Sequence, residues 1–132
     1  MLLKNLFIFP IPFILDCQCP TIKLNLSKKA EYADGFIHAT IQGTYNLSET
    51  VNGKQSWVSI SESTAIWYDQ TFKAWHVGAL SKIGTSKSFF FTKDRDDDCP
   101  QQVPNGMWKY YVGGQEVKAR SSDINVHCDN TR

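Results

Sequence analysis

Between Gly43 and Gly78 short apolar runs alternate with turn residues at intervals of about ten residues. The runs are Gly43-Thr44-Tyr45, the segment Gln55 to Ile60 around Trp57, Thr64 to Tyr68, and Ala74 to Leu80. Between them stand Asn52-Gly53, Ser61-Glu62-Ser63 and Asp69-Gln70-Thr71-Phe72-Lys73. Runs this short cannot complete an amphipathic helix, whereas strands need only a few residues each. Asn52-Gly53 strengthens the reading, because both residues tolerate the positive φ of a two-residue hairpin turn. The cadence therefore predicts antiparallel strands joined by tight turns.

The rest of the chain continues the pattern. Thr21 to Leu26 alternates, with Ile22, Leu24 and Leu26 on one face and Lys23 and Asn25 on the other. Phe36 to Leu47 reads as a second strand bent at Gly43. Ser88 to Lys93, with Phe89-Phe90-Phe91, is apolar on both faces and reads as an interior strand. Trp108 to Tyr111 and Gln115 to Ala119 flank a glycine turn, and Ile124 to Cys128 closes the domain. Ser27 to Gly35, Ser81 to Lys87 and Asp94 to Gly106 read as loops. The expected fold is all-β: about seven or eight antiparallel strands in a sandwich or a small open barrel.

A chain of 132 residues has room for one domain. Its formal net charge of +1 gives no nucleic-acid footprint. At the N-terminus Lys4 precedes an uncharged apolar run from Leu6 to Leu15. That run is too short to span a bilayer, which needs about 20 apolar residues. It fits a secretory leader, so residues 1–17 are expected as a signal peptide and 18–132 as the single β domain. Cleavage after Asp16 instead would retain Cys17.

Export places Cys17, Cys19, Cys99 and Cys128 in an oxidising compartment. Four cysteines allow three pairings. Cys19 with Cys128 is favoured, tying the first strand to the last, and Cys17 with Cys99 follows if Cys17 survives processing. No Cys-x-x-Cys is present and the three His are scattered, so no metal site and no cofactor is expected. The acidic run Asp94, Asp96, Asp97 and Asp98 lacks the calcium-loop pattern, is interrupted by Arg95, and reads as a solvated loop.

From Gly43 to Cys128 the order of landmarks resembles a small secreted Cys/Trp-rich β-module of extracellular invertebrate and protist proteins. The landmarks are Gly43 and Tyr45, Asn52-Gly53, Trp67-Tyr68, Trp75 and Gly78, Cys99-Pro100, Trp108 to Tyr111, and Cys128. The resemblance implies an extracellular β domain and carries over no active site.

Catalytic motifs are lacking: there is no Gly-x-Ser-x-Gly, no His-Glu-x-x-His and no phosphate loop. His38, His76 and His127 each fall in a strand pattern with no acid–nucleophile spacing nearby. A non-enzymatic role is therefore expected. On the strand pattern Trp75 and Val77 share one face while His76 and Gly78 share the other, so both faces carry large groups. Trp67, Tyr68, Tyr110 and Tyr111 are the candidate binding rings, and the phenols are favoured because they can remain wet. Asn25 and Asn46 head Asn-x-Ser sequons and are candidate glycosylation sites. The expected function is a secreted, non-catalytic recognition module binding glycan or extracellular protein. The alternative is a structural subunit that self-assembles through an edge strand.

Overall fold

The computed structural model describes residues 17–27, 41–112, 114–119 and 123–129. The apolar N-terminal run, His38 and most of the polar stretch before Gly35 lie outside the described residues.

Among the described residues nine strands form one antiparallel sheet. They are β1 (Thr21–Leu26), β2 (Gly43–Val51), β3 (Lys54–Ser59), β4 (Thr64–Asp69), β5 (Ala74–Ala79), β6 (Phe90–Phe91), β7 (Lys109–Val112), β8 (Gln115–Lys118) and β9 (Ile124–Cys128). Strands β1 to β8 lie side by side in chain order, and β9 returns to pair with the outer side of β1. The sheet curls into a half-barrel, so of the two architectures anticipated the open barrel forms, with nine strands rather than seven or eight. Short 3₁₀ turns occur at Leu80–Lys82, Pro100–Gln102 and Asn105–Met107.

Local chemistry sets the hairpins. Val51 pairs with Lys54 across Asn52 and Gly53, whose φ angles are 54° and 86°. These positive values match the twist of a two-residue hairpin. The Asn52 side-chain amide also donates to the Tyr68 carbonyl at 2.7 Å, fastening the turn to β4. Of the expected strand from Phe36 to Leu47, residues 36–40 lie outside the described residues, and β2 begins at Gly43 and runs on to Val51. Gly43, at φ 130°, starts the strand instead of bending its middle.

Pairing register carries large apolar groups across the inner face. Trp57 lies opposite Ile66, Ile66 opposite Val77, and Tyr68 opposite Trp75. Val77 then faces Phe90, and Phe90 faces Tyr110. At the other end Ile22 faces Tyr45, Leu24 faces Val126, and Leu26 faces Ile124. Trp108, Val103 and Ala119 complete this single buried cluster. The polar tips of Tyr45, Trp57 and Trp75 are hydrogen-bonded, as buried groups usually are, whereas the buried Trp108 indole nitrogen has no partner among the described residues. The Tyr45 hydroxyl donates to the Ile41 carbonyl at 2.6 Å and lies 2.9 Å from Thr64 Oγ1. The Trp57 indole donates to the Cys19 carbonyl at 2.8 Å, and the Trp75 indole to the Asp97 carbonyl at 2.9 Å.

Two disulfides staple the sheet. Cys19 is bonded to Cys128 and Cys17 to Cys99, with Cα–Cα separations of 5.6 and 5.7 Å. Both bonds fit an oxidising, extracellular setting. Among the described residues no helix is long and apolar enough to cross a membrane.

Candidate functional site

The other face of the sheet is covered over one part and open over another. On β4 it carries Ala65, Trp67 and Asp69, and on β5 Ala74, His76 and Gly78. The segment after β5 folds back over the Trp67–Gly78 end. The Trp67 indole donates to the Thr85 carbonyl at 2.8 Å, and the Phe89 amide donates to the Val77 carbonyl at 2.9 Å. Gly78 is what permits this approach. A Cβ there would stand 2.9 Å from Ser88 Cα and 3.1 Å from the Trp67 ring, closer than packed carbon atoms tolerate. A glycine inside a strand often marks such an approach of another backbone.

The close approach seats Ser88 beside His76. Ser88 Oγ lies 2.6 Å from His76 Nδ1 and can donate to the Phe90 carbonyl at 3.1 Å. The far imidazole nitrogen, Nε2, lies 3.6 Å from Asp69 Oδ2. Neither of those two buried atoms has a hydrogen-bond partner among the described residues. Asp69 Oδ1 accepts the Thr71 amide at 3.0 Å, which fixes the carboxylate at the hairpin end. The Trp67 ring stacks on the imidazole with centroids 5.6 Å apart. Burial pushes the His76 imidazole below its ordinary pKa, and the Asp69 carboxylate partly opposes that shift.

Beyond His76 the face opens into a cleft of about 660 Å³. Its floor is Ala74, His76, Ser88 and Phe91, and its rim includes Phe72, Lys87, Lys93, Asp94 and Tyr111. Phe72 is 59% exposed and Tyr111 41%, so two rings stand in water at the edge of a partly polar hollow. Tyr111 rests on Phe91 with ring centroids 5.3 Å apart, which limits its swing. At the rim Lys93 Nζ is 2.6 Å from Glu116, and Lys109 reaches the same carboxylate at 3.7 Å.

Of the four rings singled out from sequence, Tyr111 alone is exposed. Trp67 is buried beneath the Thr85 segment, where its indole is hydrogen-bonded. Tyr110 is buried on the inner face, packed on Phe90 with centroids 5.3 Å apart. Tyr68 is buried too: its hydroxyl donates to Asp96 at 2.9 Å, and the Lys54 ammonium sits 4.8 Å from its ring centroid. Burial and the Asp96 carboxylate push that phenol up to about 12. The wet phenol expected there is thus a protein-bound one, because the acidic loop supplies its acceptor.

That loop is tied down internally. Lys54 Nζ lies 3.2 Å from Asp98 and 3.7 Å from Asp96, while Arg95 grips Asp97 through two nitrogens at 2.7 and 3.1 Å. The Arg95 guanidinium holds the Asp97 carboxyl below the usual carboxylate range. No group of three or more His, Cys, Asp or Glu that could hold a metal ion occurs among the described residues. Asn25 and Asn46 are both exposed, on strands β1 and β2 at the far end of the sheet from the cleft.

Sequence reading missed Phe72, Phe91, Ser88 and the Asp69–His76 juxtaposition. The last was within reach: Trp67 pairs with His76 and Asp69 with Ala74, so Asp69 and His76 are diagonal neighbours on one face. No family model, curated protein or solved structure matches the chain, so the site is defined by its own geometry.

Proposed function

We propose that the protein is a secreted, non-catalytic recognition module that binds carbohydrate in the cleft between Phe72 and Tyr111. One observation carries this reading: two water-exposed rings flank a hollow whose floor offers both an aromatic surface, Phe91, and a polar one, Ser88. Sugar rings present apolar C–H faces and hydroxyl edges, and such a hollow meets both kinds of surface. The leader-like N-terminal run and the two disulfides support export. Because Cys17 is bonded to Cys99, processing that retains Cys17 leaves both staples intact, which favours cleavage after Asp16. The exposed sequon residues Asn25 and Asn46 are placed to carry glycans without covering the cleft.

The test is retention of the purified protein on a glycan array. Binding lost on Tyr111→Ala and kept on Tyr110→Phe supports the cleft. Binding to no glycan, or to a protein ligand alone, overturns the carbohydrate reading. N-terminal sequencing of exported protein tests the leader.

A structural-subunit reading draws on a different observation. The sheet is open, with β8 and β9 at its two edges, and an open edge can pair with a second chain. Concentration-dependent polymers in size-exclusion chromatography would favour that role.

A further inference from the structure

We infer that the cleft selects an uncharged sugar and that Ser88 is its polar anchor, accepting a hydrogen bond from a ligand hydroxyl. This rests on the carbohydrate reading above and adds the class of sugar and the atom that recognises it.

The charge around the hollow argues for a neutral ligand. Of the rim cations, Lys93 is engaged by Glu116 at 2.6 Å. Lys109 shares that carboxylate, so with Lys87 and Asp94 the rim carries one surplus positive charge, which the buried Asp69 carboxylate offsets. Beneath the floor lies the Asp69 carboxylate, 5% exposed and 3.6 Å from the imidazole that forms part of that floor. An anionic group entering the cleft would meet the field of that buried carboxylate across the His76 ring, where water screens it poorly. A uronate or a sulfate is therefore disfavoured, whereas a neutral ring loses nothing.

The anchor follows from how Ser88 is held. Its hydroxyl is half-buried at the cleft floor and fixed from behind by His76. In the neutral imidazole with its proton on Nε2, that N–H faces Asp69 and Nδ1 accepts the Ser88 hydroxyl proton. Both lone pairs of Ser88 Oγ then remain for the cleft. A fixed acceptor between aromatic surfaces suits a sugar hydroxyl, because it binds without the cost of ordering a free rotor. When His76 takes up a second proton, Nδ1–H donates to Ser88 Oγ and the serine proton turns to the Phe90 carbonyl, 3.1 Å away. One lone pair is then used, and the anchor weakens. The charged groups around His76 are Asp69 from β4 and Lys87, Lys93 and Asp94 at the cleft rim.

The experiment titrates the full-length exported protein with neutral oligosaccharides and with sulfated or uronate-bearing counterparts of the same backbone. Wild type, Ser88→Ala and Tyr111→Ala are compared, with circular dichroism as the control for folding. Neutral forms are expected to bind at least tenfold tighter than acidic ones. Ser88→Ala should weaken neutral binding by roughly threefold to tenfold, the range of one lost neutral hydrogen bond. Wild-type affinity should also fall as pH drops below the ordinary imidazole range, and Ser88→Ala should show a flatter pH profile. Preference for the acidic forms, still lowered by Tyr111→Ala, would overturn the ligand class while leaving the cleft in place. Unchanged binding in folded Ser88→Ala would overturn the anchor. If wild type binds no sugar of either class, the carbohydrate reading falls and this inference with it.

Discussion

The two faces of this sheet contain the same kinds of residue and use them differently. On the inner face Trp57, Trp75, Trp108, Tyr45 and Tyr110 are sealed together, and register sets Trp57 opposite Ile66, Trp75 opposite Tyr68 and Tyr110 opposite Phe90. On the outer face Trp67 is covered by a returning segment, His76 by the edge of that segment, and the cleft beyond them by nothing among the described residues. The difference teaches that aromatic richness in a strand does not distinguish core from site. What distinguishes them is whether the chain's next segment comes back over the ring.

This contrast can be broken or sharpened by experiment. The largest effect is expected on the inner face. Trp75→Ala removes a fully buried indole and its hydrogen bond to the Asp97 carbonyl, and should cost about 3–5 kcal/mol in urea denaturation. A cost below about 1 kcal/mol would mean the inner face is not the core.

Next comes the covered part of the outer face. Gly78→Ala forces a Cβ against Ser88 and Trp67, and overpacking of this kind costs about 1–3 kcal/mol. It should also displace Ser88 and shift the His76 imidazole resonances in NMR spectra. A stability loss without any change at His76 would show that Gly78 serves packing alone.

A smaller effect separates the faces by pH. Burial depresses the folded-state pKa of His76, so as pH falls through the ordinary imidazole range the unfolded chain binds more protons than the folded one. Stability should therefore be full above pH 6.5 and decline as pH falls below it. That decline should shrink in His76→Gln. An identical slope in both proteins would remove His76 as its source.

The smallest effect is expected at the open part. Phe72→Ala should change stability by no more than about 0.5 kcal/mol, because its ring is 59% exposed. Its effect should appear in glycan retention instead. A large loss of stability there would make Phe72 a structural residue.

How much of this was legible beforehand follows from the physics of each signal. Strand alternation and the Asn52-Gly53 turn are local, so the all-β class and the partition of Trp75 and Val77 from His76 and Gly78 are readable from the residues themselves. The start of β2 was not, because Gly43 opens the strand in a conformation that residue identity alone does not dictate. Exposure was the least legible property. Tyr68 and Tyr111 are the same residue type in similar hairpins, yet Asp96 and Lys54 reach Tyr68 from distant segments while Tyr111 rests on Phe91 and stays open. Ser88 reads as an ordinary loop serine until the fold brings it to His76.

The placement of β9 beside β1 has a consequence for the order of events during synthesis. The meander from β2 to β8 can zip as it emerges, since each strand pairs with the one just made. The first strand keeps a bare edge until the final strand leaves the ribosome. Between the emergence of Cys99 and that of Cys128, two neighbouring thiols, Cys17 and Cys19, face a single partner. The hydrogen bond from the Trp57 indole to the Cys19 carbonyl involves a strand already made, and it can hold Cys19 in place while Cys17 takes Cys99. An indole in the core would thus act as a placeholder, reserving one sulfur for a strand that does not yet exist.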